Sequence, residues 1–378
     1  MREVVIVDGV RTAIARAGAD RSYFKAIRAD QLAVFCVQAL LRRNPGIAPG
    51  EIEDVIFGCA NQSGEQSLNI ARMIALLAEL PVKVAGTTVD RQCGSGLQAV
   101  NTAAQAIMTG AGEIAIAGGV EHMTRIPMGS GVDPNPRLFE MFPPEWASMG
   151  LTAERLAAAH GITRQQSDAF ALRSHQRAVA ARERFKDEIV TVMAQEQPID
   201  ADQGPRADTS LEKLAALKPS FKPDGQVTAG NSSQVSDGAA ALVLMSAERA
   251  RSLGIAPLAR IVAMAVAGVP PEIMGWGPVP AIEKALARAR LEIGQIDLVE
   301  INEAFAAQVL ACNRTLRIDE EKLNVNGGAV ALGHPLGCSG ARLMVTLIHE
   351  IRRRGARLGL ASLCIGVGQG IATIVEAV

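Results

Sequence analysis

Cys93 stands in the run Val89-Asp90-Arg91-Gln92-Cys93-Gly94-Ser95-Gly96, where a β-branched stretch gives way to a helical one. A thiol at the start of a helix meets unpaired backbone N–H groups and the positive end of the helix dipole, and both favour the thiolate. That predicts a lowered pKa and a nucleophile. The competing reading of a lone cysteine is a buried structural residue. The flanking glycines permit a sharp turn and close approach by a substrate. His334 lies in Gly333-His334-Pro335-Leu336-Gly337, which holds its imidazole on a loop. A group that titrates near neutrality there can accept a thiol proton. Cys364 lies in Ser362-Leu363-Cys364-Ile365-Gly366-Val367-Gly368-Gln369-Gly370, at the end of an apolar run. It can be a disulfide partner, a core residue or an acid/base. The glycines after it, Gly366 first, free backbone N–H groups of the kind an oxyanion hole needs. Asn302 follows an apolar run ending at Ile301 and opens Asn302-Glu303-Ala304-Phe305. It either faces a crevice beyond the strand or caps the next helix.

The other histidines and cysteines have blander settings. His160, His175 and His349 fall in helical stretches and read as surface or core, while His122, at a strand end, stays open. Cys36, Cys59, Cys312 and Cys338 sit in apolar or helical contexts and read as structural. There is no C-x-x-C pair and no metal-ligand spacing, so no metal is expected and a reduced, cytoplasmic compartment fits.

The elements that must position these residues follow from periodicity. Short apolar, β-branched runs at residues 4–8, 55–58, 87–90, 113–117, 241–245, 259–267, 298–301, 358–363 and 371–376 predict strands. Helical periods at 30–43, 96–109, 280–289 and 339–353 separate most of them. Continuous apolar strands alternating with helices predict an α/β fold with a buried sheet. A weak internal repeat runs through it. Ile52 and Ile296, Ser95 and Ser339, and Glu113 and Arg357 open similar segments, and each pair is 244 residues apart (296 − 52 = 244). One offset shared by three elements predicts a duplicated core. In the second half, strand 358–363 leads directly into strand 371–376. In the first, the equivalent connection is about 120 residues long, Gly/Pro/Met-rich over 127–144, helical over 152–186 and polar over 195–230. That segment reads as a ligand-binding insertion. The expected division is 1–120 with 229–253, an inserted 121–228, and 254–378.

Composition excludes several classes. Lys and Arg number 38 against 39 Asp and Glu, a net charge of −1, which argues against a nucleic-acid binder. Apolar residues make up 48% and charged residues 20% of the 378, which argues against disorder. No apolar stretch reaches the roughly 18 residues of a membrane span. The N-terminal run is interrupted by Asp8 and reads as a strand, not a signal peptide.

Taken together the motifs resemble the thiolase family. Cys93-Gly94-Ser95-Gly96, Asn302-Glu303-Ala304-Phe305, Gly333-His334-Pro335 with Gly337-Cys338-Ser339-Gly340-Ala341-Arg342, and Cys364-Ile365-Gly366-Val367-Gly368 appear in the family's order and spacing. Asn231-Ser232-Ser233, Asp237-Gly238-Ala239-Ala240 and Met274-Gly275-Trp276-Gly277-Pro278 extend the likeness along the chain. Gly119-Val120-Glu121-His122-Met123 resembles the bacterial 3-ketoacyl-CoA branch of fatty-acid β-oxidation in particular. The resemblance implies that Cys93 attacks the 3-keto carbonyl, His334 activates it, and Cys364 protonates the departing acetyl carbanion. It implies one oxyanion hole from the Cys93 and Gly366 N–H groups and another from His334 with a water held by Asn302. It implies two five-stranded βαβαβαββ halves in a layered α-β-α-β-α core, with a loop domain inserted in the first. Arg206, Ala229 and Ser233 match positions that contact CoA, which is a substrate; no resident cofactor is implied. A homodimer or larger assembly and a hydratase/dehydrogenase partner also follow from the resemblance. The stretch 127–146 is then either the partner's contact surface or an acyl-chain tunnel.

Ser148 departs from the short-chain biosynthetic enzymes, which carry His at that position. This points away from a site restricted to acetoacetyl-CoA. Three alternatives remain beside the 3-ketoacyl-CoA reading. The first is a short-chain acetyl-CoA acetyltransferase. The second is a ketoacyl synthase, which pairs Cys with two His. The third is a non-catalytic acyl-CoA-binding protein, which would not need Cys93, His334 and Cys364 together.

Overall fold

Alternation along the strands sorts the core into layers. A computed structural model describes residues 1–378. The core strands are β1 (Val4–Thr12), β2 (Asp54–Gly58), β3 (Ala85–Val89), β4 (Ile114–His122), β5 (Ser236–Ser246), β6 (Ala259–Gly268), β7 (Leu298–Ile301), β8 (Leu358–Ile365) and β9 (Gln369–Ala377). The main helices are α1 (Ala29–Arg43), α2 (Ile70–Leu77), α3 (Ser95–Thr109), α4 (Met149–Ala159), α5 (Arg164–Ala180), α6 (Pro278–Ala289), α7 (Ala306–Leu316) and α8 (Leu336–Arg354). On β4, Ile114 and Ile116 pack with α1 and α2, while Ala115 and Ala117 face α3 and α8. On β7, Val299 and Ile301 pack with α6 and α7, while Leu298 turns to the α3/α8 side. The period of two therefore builds an α-β-α-β-α stack, with α3 and α8 in the middle layer.

The strand order is β7-β8-β9-β6-β1-β5-β4-β2-β3. The halves join where β1 meets β6, at Val5↔Arg260 and Ile6↔Ala259. Register repeats with the sequence offset: Asp54 pairs with Ala115, and Leu298 pairs with Gly359, 244 positions on in both strands (298 − 54 = 244). The second half lacks a full fifth strand. Its edge is a single parallel bridge, Val299↔Leu323. Asn324 explains the shortfall: its φ is +49°, and its side chain, not its backbone, pairs with Ile301 N and O, each at 2.9 Å.

Between β4 and β5 lies the insertion. The expected helical stretch 152–186 is two helices, broken at Gly161 (φ +58°) and restarted by Thr163, whose side chain forms a capping box with Gln166. The polar stretch after it is not all loop, since Val192–Ala194 pairs with Gln197–Ile199 and Leu211–Ala215 is helical.

Buried Arg11 on β1 ties this insertion to the core. Its guanidinium donates to Glu188 at 2.6 Å and to both Asp202 oxygens at 2.7 and 2.9 Å, and it lies over the Phe185 ring. Arg11→Ala would leave two buried carboxylates without their cation. It is expected to lower stability by about 3–5 kcal/mol, read as an earlier urea midpoint with CD detection. A midpoint within error of wild type would refute the tie.

Candidate active site

Cys93 lies on a single tight turn, Gln92–Gly94, between β3 and α3. Gln92 takes a left-handed φ of +46°, a strained value for a residue with a side chain. The strain is held by bonds on both sides: Asp90 accepts from Gln92 N at 2.6 Å, and Ser95 Oγ donates to Gln92 O at 2.7 Å. His334 lies at the matching place in the other half, between a short helix Ala329–Leu332 and α8. The two helix starts cross closely. A Cβ on Gly96 would stand 2.6 Å from Gly337 O, and one on Gly340 would stand 2.2 Å from Leu97 N. Gly96 and Gly340 are themselves a 244-offset pair (340 − 96 = 244), so the duplication supplies the crossing that brings both loops together.

The imidazole of His334 is oriented from both sides. Ser339 Oγ donates to Pro335 O at 2.9 Å, so its oxygen is left to accept from His334 Nδ1 at 2.6 Å. The network therefore assigns the proton to Nδ1 and the lone pair to Nε2. Asn302 Nδ2 lies 3.2 Å from Nε2. Helix α7 takes its N-cap at Phe305, so Asn302 faces the crevice and is not a cap. Burial, with Arg342 as the second cause, pushes His334 down to about 3, and the ring is neutral.

Cys93 does not have the lowered pKa expected of a helix start. Desolvation by the surrounding protein pushes its thiol up to about 11. The Gly366 N–H and its own N–H oppose that shift by pointing at the sulfur, and Glu121 and Asp90 reinforce it. Both backbone groups thus converge on the Cys93 sulfur. Cys93 is half-exposed, whereas the five other cysteines are buried, and all six are free thiols.

Cys364 is the next-to-last residue of β8, and the turn after the strand carries left-handed Val367 (φ +63°) and Gly368 (φ +80°). Burial raises its thiol well above the usual range, with Cys93 the next cause. It is part of an apolar wall with Ala153, Val227, Met274, Ala304 and Phe305, against which Met149 packs. Wall residues from the insertion and from the Asn302-Glu303-Ala304-Phe305 segment meet here, which sequence reading did not anticipate.

Glu121 was also missed as a site residue. It is fully buried at the end of β4 and accepts from Ala60 N, Asn61 N, Gln66 Nε2 and, at 2.8 Å, Gly337 N in the first turn of α8. One carboxylate of the first half thereby fixes the His334 loop of the second. Glu303 acts similarly, accepting from Ser174 Oγ, Asn324 Nδ2 and Val330 N.

A surface groove runs alongside, lined by His175, Arg206, Lys213, Ala229, Gly230 and Gln234 among others. Arg206 and Ala229 thus share one groove. Ser233 is not in its lining; its N–H bonds Ala304 O at 2.9 Å, between groove and crevice. His175, read as a helix residue only, accepts from Arg206 N at 3.2 Å and is pushed down to about 4 by burial and Arg206. Gln234 links the two regions, since its carbonyl accepts from His334 N at 3.0 Å.

The family described as the thiolase N-terminal domain matches residues 4–248, and the thiolase C-terminal domain matches 255–377. The chain belongs to the thiolase family. Among thiolases it is 51% identical, over 100% of both chains, to a 3-ketoacyl-CoA thiolase of Aeromonas salmonicida. It is 50% identical to one of Marinobacter nauticus, over 99% of this chain and 98% of that one. The fold matches human mitochondrial 3-ketoacyl-CoA thiolase in complex with CoA (TM-score 0.91, 40% identity, 100% and 98% coverage). It matches equally the Bacillus anthracis acetyl-CoA acetyltransferase (TM-score 0.91, 44% identity, 100% and 99% coverage). No helix of this thiolase is long and apolar enough to cross a membrane.

Proposed function

We propose that this thiolase cleaves 3-ketoacyl-CoA with CoA, giving acetyl-CoA and a shortened acyl-CoA through an acyl thioester on Cys93. The observation that carries the reading is the pairing of two neighbouring thiols of unequal access. Cys93 is half-exposed under two N–H donors, while Cys364 is buried in an apolar wall. A ketoacyl synthase pairs its cysteine with two histidines, whereas this site offers Cys93, His334 and Cys364.

The steps balance. Cys93 Sγ bonds to C3 as its proton passes to His334 Nε2; with the resting pair at about 11 and about 3, transfer accompanies attack and does not precede it. The C2–C3 bond then breaks, its electrons go to C2, and Cys364 supplies the proton there. CoA's thiol attacks the acyl group, its proton restores Cys364, and the expelled Cys93 thiolate regains its proton from His334. The Cys93 and Gly366 N–H groups form one oxyanion site, and His334 with Asn302 forms the other. CoA lies along the Arg206–Ala229 groove, with Ser233 at its inner end. It is a substrate, and no resident cofactor or metal takes part.

Residues 1–120 with 229–253, 121–228 and 254–378 are the three units of this reading, and the protein is cytoplasmic. The short-chain acetyltransferase is kept as a second reading because of the Bacillus anthracis match. Thiolysis across a C4 to C16 3-ketoacyl-CoA series tests both, with turnover expected beyond C4. Activity confined to C4 would favour the second reading, and none at any length would refute both. Phe139 and Met141 are exposed, Phe139 packs at a tilt against Trp146 with ring centroids 5.0 Å apart, and neither lies in the Cys364 wall. This favours residues 127–146 as the contact surface for a hydratase/dehydrogenase partner over an acyl tunnel. Phe139→Ser is accordingly expected to leave the same chain-length series unchanged; selective loss of long chains would restore the tunnel.

A homodimer is the proposed assembly. β3 is an unpaired edge of the sheet, and Leu68, Leu76, Leu77 and Val82 are exposed in the segments just before it. Such an edge recruits another chain unless it is covered. Light scattering is expected to give at least twice the mass of one chain, and a fully active monomer would refute the dimer.

A further inference from the structure

Two turns deliver the N–H groups that converge on Cys93 Sγ, and both are strained. In the first, Gln92 holds φ at +46° beside Cys93. In the second, Gly366-Val367-Gly368 links β8 to β9, and Val367 holds φ at +63°. A β-branched residue in the left-handed region is an outlier that persists only where its surroundings fix it. The turns come from opposite halves of the chain and pack directly: a Cβ on Gly94 would stand 2.6 Å from Ile365 Cδ1. Apolar packing of this kind has no direction of its own. A hydrogen bond between the turns supplies one. Arg91, next to Gln92, donates from Nη1 to Oε1 of Gln369 at 2.9 Å. Gln369 pairs with Ile365 and so closes the hairpin that carries Gly366.

The guanidinium is itself held in place. Its Nε donates to Gln98 Oε1 at 2.8 Å, and Gln98 Nε2 donates to Thr102 Oγ1 at 3.1 Å, which turns the amide oxygen towards Arg91. The backbone N–H of Arg91 donates to Ser95 Oγ at 2.8 Å. Both acceptors of the guanidinium are neutral amides, so no ion pair accounts for the residue. A charged donor on an amide oxygen still makes a strong, directional bond. Arg91 bonds none of Cys93, His334 and Cys364, and therefore acts through the turns.

We propose that Arg91 and Gln369 are positioning residues for the reaction: their bond locks the Cys93 turn of the first half to the Gly366 turn of the second, and so fixes the spacing of the two N–H groups. This rests on the reading of those groups as an oxyanion site. Such a donor works only when aimed at the charge that develops, and removing one lowers kcat by about 10²–10³-fold. Letting one drift should lower kcat by less, and leave CoA binding alone.

The test is steady-state thiolysis of acetoacetyl-CoA, a substrate under either chain-length reading, together with iodoacetamide alkylation of Cys93 at pH 8, both on the full-length protein. Arg91→Met and Gln369→Leu are each expected to lower kcat by about 10- to 100-fold, with KM for CoA within about twofold of wild type. The double variant should be within about threefold of the poorer single variant, since the two residues make one bond. Gln369→Glu keeps an acceptor oxygen for Arg91 and should hold kcat within about threefold of wild type. The Gly366 N–H supports the thiolate it points at. Alkylation is therefore expected to slow about threefold in both single variants, equivalent to half a pKa unit, and to recover in Gln369→Glu. General loosening of the fold would raise KM, add up in the double variant and not be rescued by Glu. Any of those results, or kcat within about twofold of wild type in both single variants, would overturn the proposal. If Arg91→Met does not fold, the contrast between Gln369→Leu and Gln369→Glu carries the test. Alkylation uses no acyl-CoA, so its expected pattern in a protein inert across the chain-length series would refute thiolysis and keep the clamp. An active enzyme without the kcat pattern would refute the clamp alone.

Discussion

Cys93→Ser is expected to lower kcat for thiolysis by about 10⁴-fold or more, the scale seen when a covalent nucleophile is removed. A hydroxyl is a weaker acid than a thiol, and the base beside it is already held down to about 3. Proton transfer to His334 is feasible for sulfur because the S–C bond forms as the proton leaves. For oxygen the same step starts several pKa units further uphill. Incubation of wild type with acyl-CoA should give a mass adduct on the Cys93 peptide, absent in the variant. Label on Cys364 alone would reverse the two roles. The same chemistry fixes a pH dependence. Burial favours the neutral Cys93 thiol, so the thiolate fraction, and with it the alkylation rate, rises about tenfold per pH unit up to a midpoint near 11. His334 loses its proton near 3, so alkylation should show no inflection in the ordinary histidine range. An inflection between pH 6 and 7 would mean that His334 titrates there and that the neutral resting pair is wrong.

The layers and the duplication were legible because they are written in local periodicity. β7 begins and ends where its apolar run does, and the 244-residue offset recurs in the register of β2, β4, β7 and β8. Helix α2 was not legible: Ile70–Leu77 is only eight residues long and apolar at every position but Arg72, and so short an apolar run cannot be told from a buried strand in the sequence. The fifth strand of the second half, implied by the family resemblance, is reduced to a single bridge beside Asn324, whose side chain replaces the ladder. At the site, residue types and glycine settings picked out Cys93, His334, Asn302 and Cys364. They did not give the sign of the Cys93 shift, since the helix-start argument counts N–H groups and not the desolvation around them. Glu121 and Ser339 act through partners distant in sequence or fixed by a turn, and spacing alone does not reveal what a buried carboxylate holds. Ser339 had a weak signal, lying five residues after His334 across a proline turn.

Cys364→Ala should separate the two halves of the reaction. Acylation of Cys93 by a simple acyl-CoA relies on Cys93, His334 and the Gly366 N–H, all of which the variant keeps; there Cys364 only returns a proton to the departing CoA thiolate, a stable leaving group that needs little acid help. Cleavage of the carbon–carbon bond also needs a proton at C2, and general acid catalysis of that kind is worth about 10²–10⁴-fold. Cys364 suits the task because burial and the neighbouring Cys93 sulfur keep its proton on at neutral pH. The wall beside it is apolar, made by Ala153, Val227, Met274 and Phe305, with Met149 closing the side near Gly366. The side chain removed is small, and the wall on either side remains. The variant is therefore expected to acquire the Cys93 acyl adduct at a rate within about tenfold of wild type, while 3-ketoacyl-CoA cleavage falls by about 10³-fold. Quenched-flow mass spectrometry reads the first and steady-state release of acetyl-CoA the second. Near wild-type cleavage would take the acid role away from Cys364, and equal loss of both rates would make it a structural wall residue instead.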